Sequence, residues 1–543
     1  MLVSQAVGRA LVSVGVDHVF GVVGSGNFHV TGAMVDAGAR FVASRHEGGA
    51  ATMADAYART TDAVAALTVH QGCGLTNAMT GIAEAAKSRT PMVVLAAEVS
   101  QPRSNFYVDQ EALARSVGAV PMRITSADTA AEEAVDAVAT ALHRRRTVVL
   151  NLPLEVQAQG AVEADPPRLP EPPVPPHPSI EDVGRLAAAL QGAQRPVFVA
   201  GRGARSAAAR DALSALAEDQ GALLATSAVA KGLFHTEAWS LDVSGGFASP
   251  LAAELIRGAD LIIGWGCALN MWTMRHGALI SPGTTVVQVD DTAEALGAHR
   301  ALAFGVLGDV AATARAVHGA PGAGKQGYRT DDVEARLAAS LRWRDVPYED
   351  LSGEGRIDPR TLTIALDDML PTDRVVAVDS GNFMGHPSMF LSVPDERGFC
   401  FTQAFQSIGL GLATAIGAAL AQPDRLPVAA LGDGGALMSA AELDTVRRLG
   451  LSMVVVVYND DAYGAEVHHF SPGGHDLETV TFPDTDIAAV ARGYGFTAVT
   501  IRQPQDLAPV HAWLEGSRDT PLLIDAKVVA QPSWWLEEAF RGH

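Results

Sequence analysis

Two apolar segments near the C-terminal end of the chain, each as long as a buried strand, end in acidic and glycine residues. Residues 426–431 are followed by Gly-Asp-Gly-Gly at 432–435, and residues 453–457 are followed by Tyr-Asn-Asp-Asp-Ala-Tyr-Gly. Uninterrupted apolar runs of this length are typical of strands buried in a parallel sheet. Parallel strands end at one edge of the sheet, where open α/β sheets bind their ligands. The pattern therefore predicts an α/β fold with Asp433 and, 27 residues later, Asp460 at a binding edge.

Acidic and glycine residues in this arrangement point to a cation and a diphosphate. Carboxylate oxygens bind hard cations such as Mg²⁺, and glycines let a diphosphate approach the backbone closely. The two segments resemble the signature of thiamine diphosphate-dependent enzymes, Gly-Asp-Gly followed at about this spacing by Asn-Asn. The resemblance implies that the Asp433 and Asp460 side chains and the Ala462 carbonyl bind Mg²⁺. Asp460 replaces the usual Asn and still supplies an oxygen. The other cofactor-binding residues implied here are Gly432, Gly434, Gly435, Tyr463 and Gly464.

The N-terminal part of the chain carries a second set of segments that resemble the same family. The sequence reads Val-Phe-Gly-Val-Val-Gly at 19–24, Arg-His-Glu at 45–47 and Gly-Cys-Gly-Leu-Thr-Asn at 72–77. These segments are similar to the GVPG, RHE and GPGATN series of the acetolactate synthase, benzoylformate decarboxylase and benzaldehyde lyase branch. The resemblance implies that Glu47 hydrogen-bonds N1′ of the aminopyrimidine, so that the 4′-amino group becomes the base that removes the thiazolium C2 proton. It also places Asn77 at the cofactor.

Two more segments of the C-terminal half resemble cofactor-contacting parts of this family. Residues 405–411 are similar to its Gly-Thr-Met-Gly-Phe-Gly stretch. By that resemblance Ile408 supports the bent shape of the cofactor, and the Gln406 carbonyl accepts from the 4′-amino group. A core role for Ile408 is equally compatible with the sequence. After the apolar run 375–378, the resemblance implies backbone amides for the diphosphate from Gly381, Asn382 and Phe383.

Four polar side chains are candidates for the substrate pocket. His70 stands where benzoylformate decarboxylase also carries a histidine, and Ser25 matches a serine of that enzyme that meets the substrate carboxylate. Gln110 falls where acetolactate synthases have Phe-Gln-Glu, and Glu466 lies where pyruvate decarboxylase places an active-site glutamate. An imidazole titrates near neutral pH and is a ready proton donor. Each residue also has a structural alternative: His70 as the cap of a turn, Gln110 as a surface residue and Glu466 on a solvated helix face.

The chain is too long for one hydrophobic core, and its 543 residues suit about three domains. We predict three doubly wound α/β domains: an N-terminal pyrimidine-binding domain at 1–160, a central Rossmann-like domain at 180–325 and a C-terminal diphosphate-binding domain at 350–543. The intervening linker, 161–179, is predicted to be extended because proline disfavours helices and central strands. Its prolines are Pro166, Pro167, Pro170, Pro172, Pro173, Pro175, Pro176 and Pro178.

The predicted central domain contains part of a dinucleotide-binding fingerprint. Residues 197–204 read Val-Phe-Val-Ala-Gly-Arg-Gly-Ala, an apolar strand followed by two glycines, but the third glycine of the fingerprint is absent. In the family that the chain resembles, this domain binds FAD or another nucleotide in some members and nothing in others. A motif this incomplete favours a structural domain over a bound FAD.

Composition narrows the classes of partner. A formal net charge of −21 argues against nucleic acid as a partner. No apolar run approaches the roughly 20 residues of a membrane span, and the N-terminus lacks the pattern of a signal peptide. The cysteines are far apart and form no Cys-x-x-Cys pair, so neither disulfides nor zinc are indicated; they are Cys73, Cys267 and Cys400. A cytoplasmic location is the expectation.

Three functions remain open at this point. The first is an acetolactate-synthase-like carboligase, which decarboxylates a 2-oxo acid and joins the resulting enamine to an acceptor aldehyde or 2-oxo acid. The second is a simple 2-oxo acid decarboxylase or aldehyde lyase, which the presence of His70, Ser25 and Glu466 supports. The third is a non-catalytic cofactor-binding relative, against which the intact Glu47 and Asp433 argue. In the resembling family the two halves of each site come from different subunits, which implies a homodimer or a homotetramer.

Overall fold

A computed structural model of the chain describes residues 1–161, 167–320 and 324–532. It contains three six-stranded sheets, and all the strand pairs in them are parallel. Outside the described part lie residues 162–166, 321–323 and 533–543. These ranges include Pro166 and short portions of the predicted linker, central domain and C-terminal domain. Parallel sheets with flanking helices confirm the predicted class, three α/β domains. None of the helices in the described ranges is long and apolar enough to cross a membrane.

The first domain has the strand order β2-β1-β3-β4-β6-β5. Its central strand β3 is buried along its whole length, which explains the uninterrupted apolar sequence. The strands are β1 (His18–Gly21), β2 (Arg40–Ala43), β3 (Ala65–Val69), β4 (Met92–Glu98), β5 (Val120–Arg123) and β6 (Thr147–Pro153). The helices are α1 (Val3–Ser13), α2 (Phe28–Asp36), α3 (Glu47–Thr61), α4 (Cys73–Lys87), α5 (Gln110–Ser116), α6 (Ala130–Arg144) and α7 (Leu154–Gln157).

The central domain has the order β12-β11-β10-β7-β8-β9, which is the order of nucleotide-binding doubly wound sheets. Residues 167–179, the described part of the linker, contain no helix or strand. The strands are β7 (Pro196–Ala200), β8 (Leu223–Thr226), β9 (Ser240–Val243), β10 (Leu261–Trp265), β11 (Thr285–Asp290) and β12 (Phe304–Leu307). The helices are α8 (Ile180–Gly192), α9 (Ala207–Gln220), α10 (Pro250–Arg257), α11 (Val310–His318) and α12 (Asp331–Ser340).

The third domain repeats the strand order of the first, as β14-β13-β15-β16-β18-β17. The strands are β13 (Arg374–Val378), β14 (Phe399–Phe401), β15 (Leu426–Gly432), β16 (Val454–Asn459), β17 (Thr497–Ile501) and β18 (Leu522–Lys527). The helices are α13 (Pro359–Met369), α14 (Gly385–Phe390), α15 (Gly411–Ala421), α16 (Asp433–Met438), α17 (Leu443–Arg448), α18 (Gly464–Phe470), α19 (Ile487–Gly493) and α20 (Ala508–Glu515).

The first and third domains pack together through α3 and α15, the helices that follow equivalent strands in the two sheets. Small residues let the two helices approach closely: a Cβ atom on Gly417 of α15 would lie 2.2 Å from the carbonyl oxygen of Met53 in α3. One apolar core cluster contains residues of both helices, among them Met53 and Ile416. The binding edges of these two domains are therefore fixed relative to each other within the chain.

Candidate active site

Two carboxylates, Asp433 buried and Asp460 half-buried, lie at neighbouring strand ends of the third domain. Asp433 begins α16 directly after β15, and Asp460 follows the adjacent strand β16. Burial raises the pKa of Asp433 to about 6. Burial, and then the charge of Asp433, raises the pKa of Asp460 to about 7. Two neighbouring carboxylates that are largely shielded from water destabilise each other unless a cation compensates them. The structure thus brings both predicted acidic ligands together, and the pair fits a divalent cation.

The turn that carries the predicted third ligand is held from two sides. The backbone amide of Ala462 faces the Asp433 carboxylate and opposes the rise in its pKa that burial causes. Asp461 has a left-handed backbone, with φ of 58°, and its side chain is paired with Arg356. The same guanidinium donates to the Asn459 carbonyl at 3.3 Å. Among the described residues, no group of three or more His, Cys, Asp or Glu side chains is placed to hold a metal ion, so a cation here would need main-chain or cofactor oxygens beside the two carboxylates.

Glycines keep the space beside the carboxylates free. A Cβ atom on Gly434 would lie 2.6 Å from the Tyr463 ring and 3.5 Å from Cδ1 of Ile408. A Cβ atom on Gly464 would lie 2.4 Å from Oδ2 of Asp460. Any side chain at either position would therefore displace a predicted cofactor contact. This glycine-lined surface beside two carboxylates fits a diphosphate bridged to the protein by Mg²⁺.

Asp379 anchors the remaining cofactor-contacting segments, a role that the sequence analysis did not assign. Its fully buried side chain accepts hydrogen bonds from the amides of Ser380 at 2.8 Å, Gly409 at 3.0 Å and Leu410 at 3.1 Å. Burial raises the pKa of Asp379 to about 6. It therefore joins the segment that contains Gly381 to the segment after Ile408. The available signal was the acid itself, since Asp379 follows a buried strand as Asp433 does.

The side chains of Asn382 and Phe383 take part in packing around this segment. The Asn382 amide donates to the Gln531 carbonyl at 2.7 Å. The Phe383 ring stacks on Tyr458, with ring centroids 5.4 Å apart. These side-chain contacts leave the predicted diphosphate contacts to the main chain of Gly381, Asn382 and Phe383, which stays a prediction.

Glu47 lies at the binding edge of the first domain, as the first residue of α3. His46 caps this helix, because its Nδ1 accepts a hydrogen bond from the Gly48 amide at 3.0 Å. The Asn77 amide donates to Oε2 of Glu47 at 3.0 Å. A Cβ atom on Gly74 would lie 3.5 Å from the other carboxylate oxygen, and Glu47 is half-buried. The carboxylate is therefore oriented by Asn77 and remains open to a ligand.

His70 and the Ser25 turn meet beside this carboxylate. Nδ1 of His70 accepts a hydrogen bond from the Gly26 amide at 3.3 Å, and the ring lies edge-on to Phe106 at 5.4 Å. Since Nδ1 accepts, the ring proton is on Nε2, which becomes the donor. A Cβ atom on Gly24 would lie 2.7 Å from Nδ1, so the turn carrying the exposed Ser25 is packed against the imidazole.

A buried asparagine that the sequence analysis missed shapes this turn. Oδ1 of Asn27 accepts from the Gly24 amide at 2.8 Å, and its Nδ2 donates to Oγ1 of Thr68 at 3.0 Å. Asn27 is fully buried. The signal for it was local: an asparagine inside a glycine-containing turn that leads into a helix.

The other three predicted residues differ in their surroundings. Gln110 is buried, and its amide accepts from the Gly72 N–H at 3.2 Å and donates to Asn151 at 2.8 Å. Through these bonds the Gln110 side chain connects the turn at Gly72 to Asn151. Glu466 is half-buried in the first turn of α18. Gln406 is exposed and has a left-handed backbone, with φ of 62°. Their substrate and cofactor contacts remain predictions.

The glycines of the central domain have a structural explanation. A Cβ atom on Gly201 would lie 2.3 Å from the Gly266 carbonyl oxygen, and one on Gly203 would lie 2.9 Å from the Gly266 Cα. Both glycines therefore allow the ends of β7 and β10 to approach each other. A cavity of 1740 Å³ lies beside them and is lined by residues of all three domains, among them Arg202 and Asp291. The preference for a structural domain over FAD stays a prediction.

Three family profiles match most of the chain. They are described as the N-terminal TPP binding domain of thiamine pyrophosphate enzymes at residues 1–114, the central domain at 183–317 and the C-terminal TPP binding domain at 379–526. TPP is another name for thiamine diphosphate. Each profile overlaps a different one of the three sheets of the structure. The chain belongs to the thiamine diphosphate-dependent enzymes.

Relatives named for different activities are similar to nearly the whole chain. A probable 2-ketoarginine decarboxylase of Pseudomonas aeruginosa is 29% identical, covering 93% of this chain and 89% of that protein. The acetolactate synthase large subunit of Parasynechococcus marenigrum is 29% identical, covering 95% and 85%. A sulfoacetaldehyde acetyltransferase of Castellaniella defragrans is 27% identical, covering 94% and 90%. The chain is thus an enzyme of the acetolactate synthase and decarboxylase type.

Proposed function

We propose that the chain is a Mg²⁺- and thiamine diphosphate-dependent enzyme that decarboxylates a 2-oxo acid and joins the remaining acyl group to an acceptor aldehyde or second 2-oxo acid. The observation that carries this proposal is the pair of neighbouring carboxylates, Asp433 and Asp460, beside a glycine-lined surface. With an aldehyde acceptor the reaction balances as R–CO–COO⁻ + R′–CHO + H⁺ → R–CO–CH(OH)–R′ + CO₂. Similarity to an acetolactate synthase and an acetyltransferase supports transfer to an acceptor.

The residues of the chain have separate tasks in this proposal. When bound, thiamine diphosphate supplies a nucleophilic carbon that adds to the 2-oxo group and takes up the electrons released with CO₂. Asp433 and Asp460 hold the cation that binds the diphosphate. Glu47 exchanges a proton at its carboxylate, and Asn77 keeps that carboxylate oriented. His70 donates a proton from Nε2, since its Nδ1 is occupied by the Gly26 amide.

We also propose that the smallest active unit is a two-fold dimer, with a dimer of dimers as the larger alternative. The described part of the chain includes Glu47 and His70 of the first domain and the two acidic residues of the third. No hydrogen bond or ion pair joins Glu47 or His70 to Asp433 or Asp460 within the chain. Large apolar side chains are exposed near both half-sites: Phe28 is 62% exposed in the first domain and Met438 is 58% exposed in the third. A second copy arranged with two-fold symmetry would cover both surfaces and complete two identical sites.

Subunit mixing tests the shared site. Glu47→Gln subunits are combined with Asp433→Ala subunits and allowed to exchange, which we expect to place both defects in one site of a mixed dimer. Random pairing makes half of the dimers mixed, and half of their sites are whole, so activity should return to at most about a quarter of the wild-type level per site. A fully active monomer in sedimentation, or no recovery despite demonstrated subunit exchange, would contradict the proposal.

Product analysis tests the reaction. The purified protein is incubated with thiamine diphosphate, Mg²⁺ and a panel of 2-oxo acids, with and without an added aldehyde. Hydroxyketone or acetolactate-type products support carboligation. Free aldehyde as the sole product supports the second candidate, a simple decarboxylase, which the Nε2–H donor of His70 favours because it can protonate the decarboxylated carbon. Cofactor binding without turnover of any 2-oxo acid would support the non-catalytic alternative.

A further inference from the structure

Each of the two cofactor-binding domains sends one buried glutamate into the other. Glu84 lies on α4, which follows β3 of the first domain, and it is fully buried. Glu442 ends the 3-10 helix Ala440–Glu442, which follows β15 and α16 of the third domain, and it is 3% exposed. β3 and β15 occupy the same position in their two sheets. The two glutamates are therefore equivalent in the shared topology.

Glu442 binds the turn that precedes Glu47. Its Oε1 accepts hydrogen bonds from two consecutive backbone amides of the first domain, Arg45 at 3.1 Å and His46 at 3.0 Å. Oγ1 of Thr445 donates to the other oxygen at 2.6 Å. The bonds end at the residue directly before Glu47, the start of α3. A carboxylate that accepts from several donors makes stronger hydrogen bonds than a neutral acceptor.

Glu84 makes the corresponding contact in the opposite direction. Its carboxylate accepts from two consecutive backbone amides of the third domain, Ala404 at 3.0 Å and Phe405 at 2.6 Å. The bonds end at the residue directly before Gln406. Arg59 donates to the same carboxylate at 2.6 Å. Burial by itself would raise the pKa of Glu84, but the charge of Arg59 and the two amides lower it, so this acid is ionised in the interior.

We propose that Glu84 and Glu442 are a reciprocal pair of positioning residues for the two halves of the active site. Glu442 holds the turn that presents Glu47, and Glu84 holds the loop that presents Gln406 and Ile408. The inference rests on the proposed function, because it assigns these loops to cofactor activation. A small displacement of a catalytic group is costly, so groups that fix the preceding backbone control its efficiency.

The sequence keeps room for the Glu442 contact at one glycine. A Cβ atom on Gly49, in the first turn of α3, would lie 2.5 Å from Oε1 of Glu442. The carboxylate would have to move away from the Arg45 and His46 amides. Gly49→Ala is therefore a second way to remove the contact without changing the glutamate.

The two contacts of one chain serve different active sites in the proposed dimer. Glu47 acts on the cofactor bound to the partner subunit, whereas Gln406 and Ile408 act on the cofactor bound to their own third domain. A defect at Glu442 should therefore behave like a defect at Glu47. A defect at Glu84 should behave like a defect in the third domain.

Two measurements, C2–H exchange of the bound cofactor and calorimetric cofactor affinity, separate the roles of Glu442 and Glu84. For Glu442→Ala we expect C2–H exchange of bound thiamine diphosphate to fall about 10- to 100-fold, with calorimetric affinity for the cofactor nearly unchanged. Glu442→Gln, which keeps one neutral acceptor, should lie between Ala and wild type, and Gly49→Ala should fall in the same direction. For Glu84→Gln we expect the affinity for thiamine diphosphate to fall about tenfold, because Gln406 and Ile408 contact the cofactor itself.

A matched control is available two residues after Glu442. Asp444 also crosses between the domains, but it pairs with the exposed side chain of Arg45 rather than with the backbone. Asp444→Asn should leave exchange and affinity at wild-type values. Folded Glu442→Ala and Gly49→Ala proteins with wild-type exchange rates would overturn the role of Glu442. Wild-type cofactor affinity in Glu84→Gln would overturn that of Glu84.

Subunit mixing then maps each glutamate to a site. Glu442→Ala should recover activity with Asp433→Ala subunits but not with Glu47→Gln subunits, and Glu84→Gln should show the reverse pattern. The Glu47→Gln and Asp433→Ala pair is the reference. If this reference pair does not complement, the shared-site dimer fails, whereas the exchange and affinity measurements still decide the positioning roles. Recovery of the Glu442 variant with Glu47→Gln, when the reference pair complements, would contradict the proposed assignment.

Discussion

The first and third domains have the same strand order, yet the residues after equivalent strands differ in chemical type. β2 leads to Glu47 and its equivalent β14 leads to Ile408, whereas β3 leads to His70 and its equivalent β15 leads to Asp433. In the proposed function, the same edge of the same sheet therefore carries a proton-exchanging group in one domain and a metal site in the other. A shared topology decides where functional segments end, and the side chains on those segments decide their chemistry.

The two binding edges also differ in the environment of their carboxylates. In the first domain, Glu47 is half-buried and hydrogen-bonded to an amide. In the third, a buried Asp433 lies beside a half-buried Asp460, and desolvation raises the pKa of each. The first arrangement suits an acid that must exchange its proton. The second suits carboxylates that a cation has to neutralise.

We expect the largest effect from the loss of an acidic side chain in the third domain. In Asp433→Ala the diphosphate loses the cation that links it to the protein, so we expect affinity for thiamine diphosphate to fall by at least about 100-fold. Calorimetric titration in the presence of Mg²⁺ measures this. Asp444→Asn, at a half-buried acid of the same domain, is the control. Tight binding by Asp433→Ala would exclude the proposed metal site.

We expect the next largest effect from a substitution in the first domain, at Glu47. Glu47→Gln cannot exchange the carboxyl proton, so we expect C2–H exchange of the bound cofactor to slow by about 100- to 10,000-fold. Cofactor and Mg²⁺ affinities and the melting temperature should stay near wild type, because Glu47 has no contact with Asp433 or Asp460. Exchange can be followed by NMR after rapid acid quench. A Gln variant with wild-type exchange would refute the role of Glu47.

The raised pKa values of Asp433 and Asp460 predict that the stability of the cation-free protein depends on pH. Without a cation, the folded protein keeps protons on Asp433 and Asp460 that the unfolded chain releases near the ordinary carboxyl pKa of about 4. This contribution to stability is complete below that pKa and is lost as pH rises through about 6 and 7. In EDTA we expect the melting temperature to fall over this range, and Mg²⁺ with thiamine diphosphate to reduce the fall. An Asp433→Ala/Asp460→Ala protein that shows the same decline would assign it to other groups.

The smallest effect should come from Asp460→Asn, which restores the residue usual in the family. The amide still supplies an oxygen ligand, so we expect cofactor affinity to change by less than about tenfold. The loss of one buried carboxylate should also weaken the pH dependence of the cation-free protein. Calorimetry and melting curves measure the two effects. Loss of cofactor binding would show that the site requires both charges.

Local sequence patterns predicted which residues lie at the strand ends, because each of these residues follows its own strand. Asp433 begins a helix directly after a buried strand, and Glu47 begins the Ala-rich helix that follows β2. The apolar runs predicted at 426–431 and 453–457 are strands within two residues of those bounds. A strand that is buried on both faces requires an apolar run, and the edge where it ends requires glycine or a polar group. Such rules act over a few residues and can be read from the chain.

Contacts between distant segments were not predictable in this way. Glu442 and Arg45 are 397 residues apart, and Glu84 and Phe405 are 321 apart. Before folding, Glu84 and Glu442 are indistinguishable from other helical glutamates. Gln110 is a similar case, because its contacts with Gly72 and Asn151 follow from the packing of three segments. Nothing in the local sequence specifies the donors that these side chains meet.

The amino-acid sequence by itself determined the α/β class, the family and the residues at each strand end, because short-range backbone and burial requirements leave a pattern in adjacent residues. The tertiary structure decided which of those residues share a binding edge, how burial changes the pKa of Asp433 and Asp460, and which glutamates hold the loops before Glu47 and Gln406. These properties depend on distances and dielectric surroundings that exist only after the sheets and helices have packed.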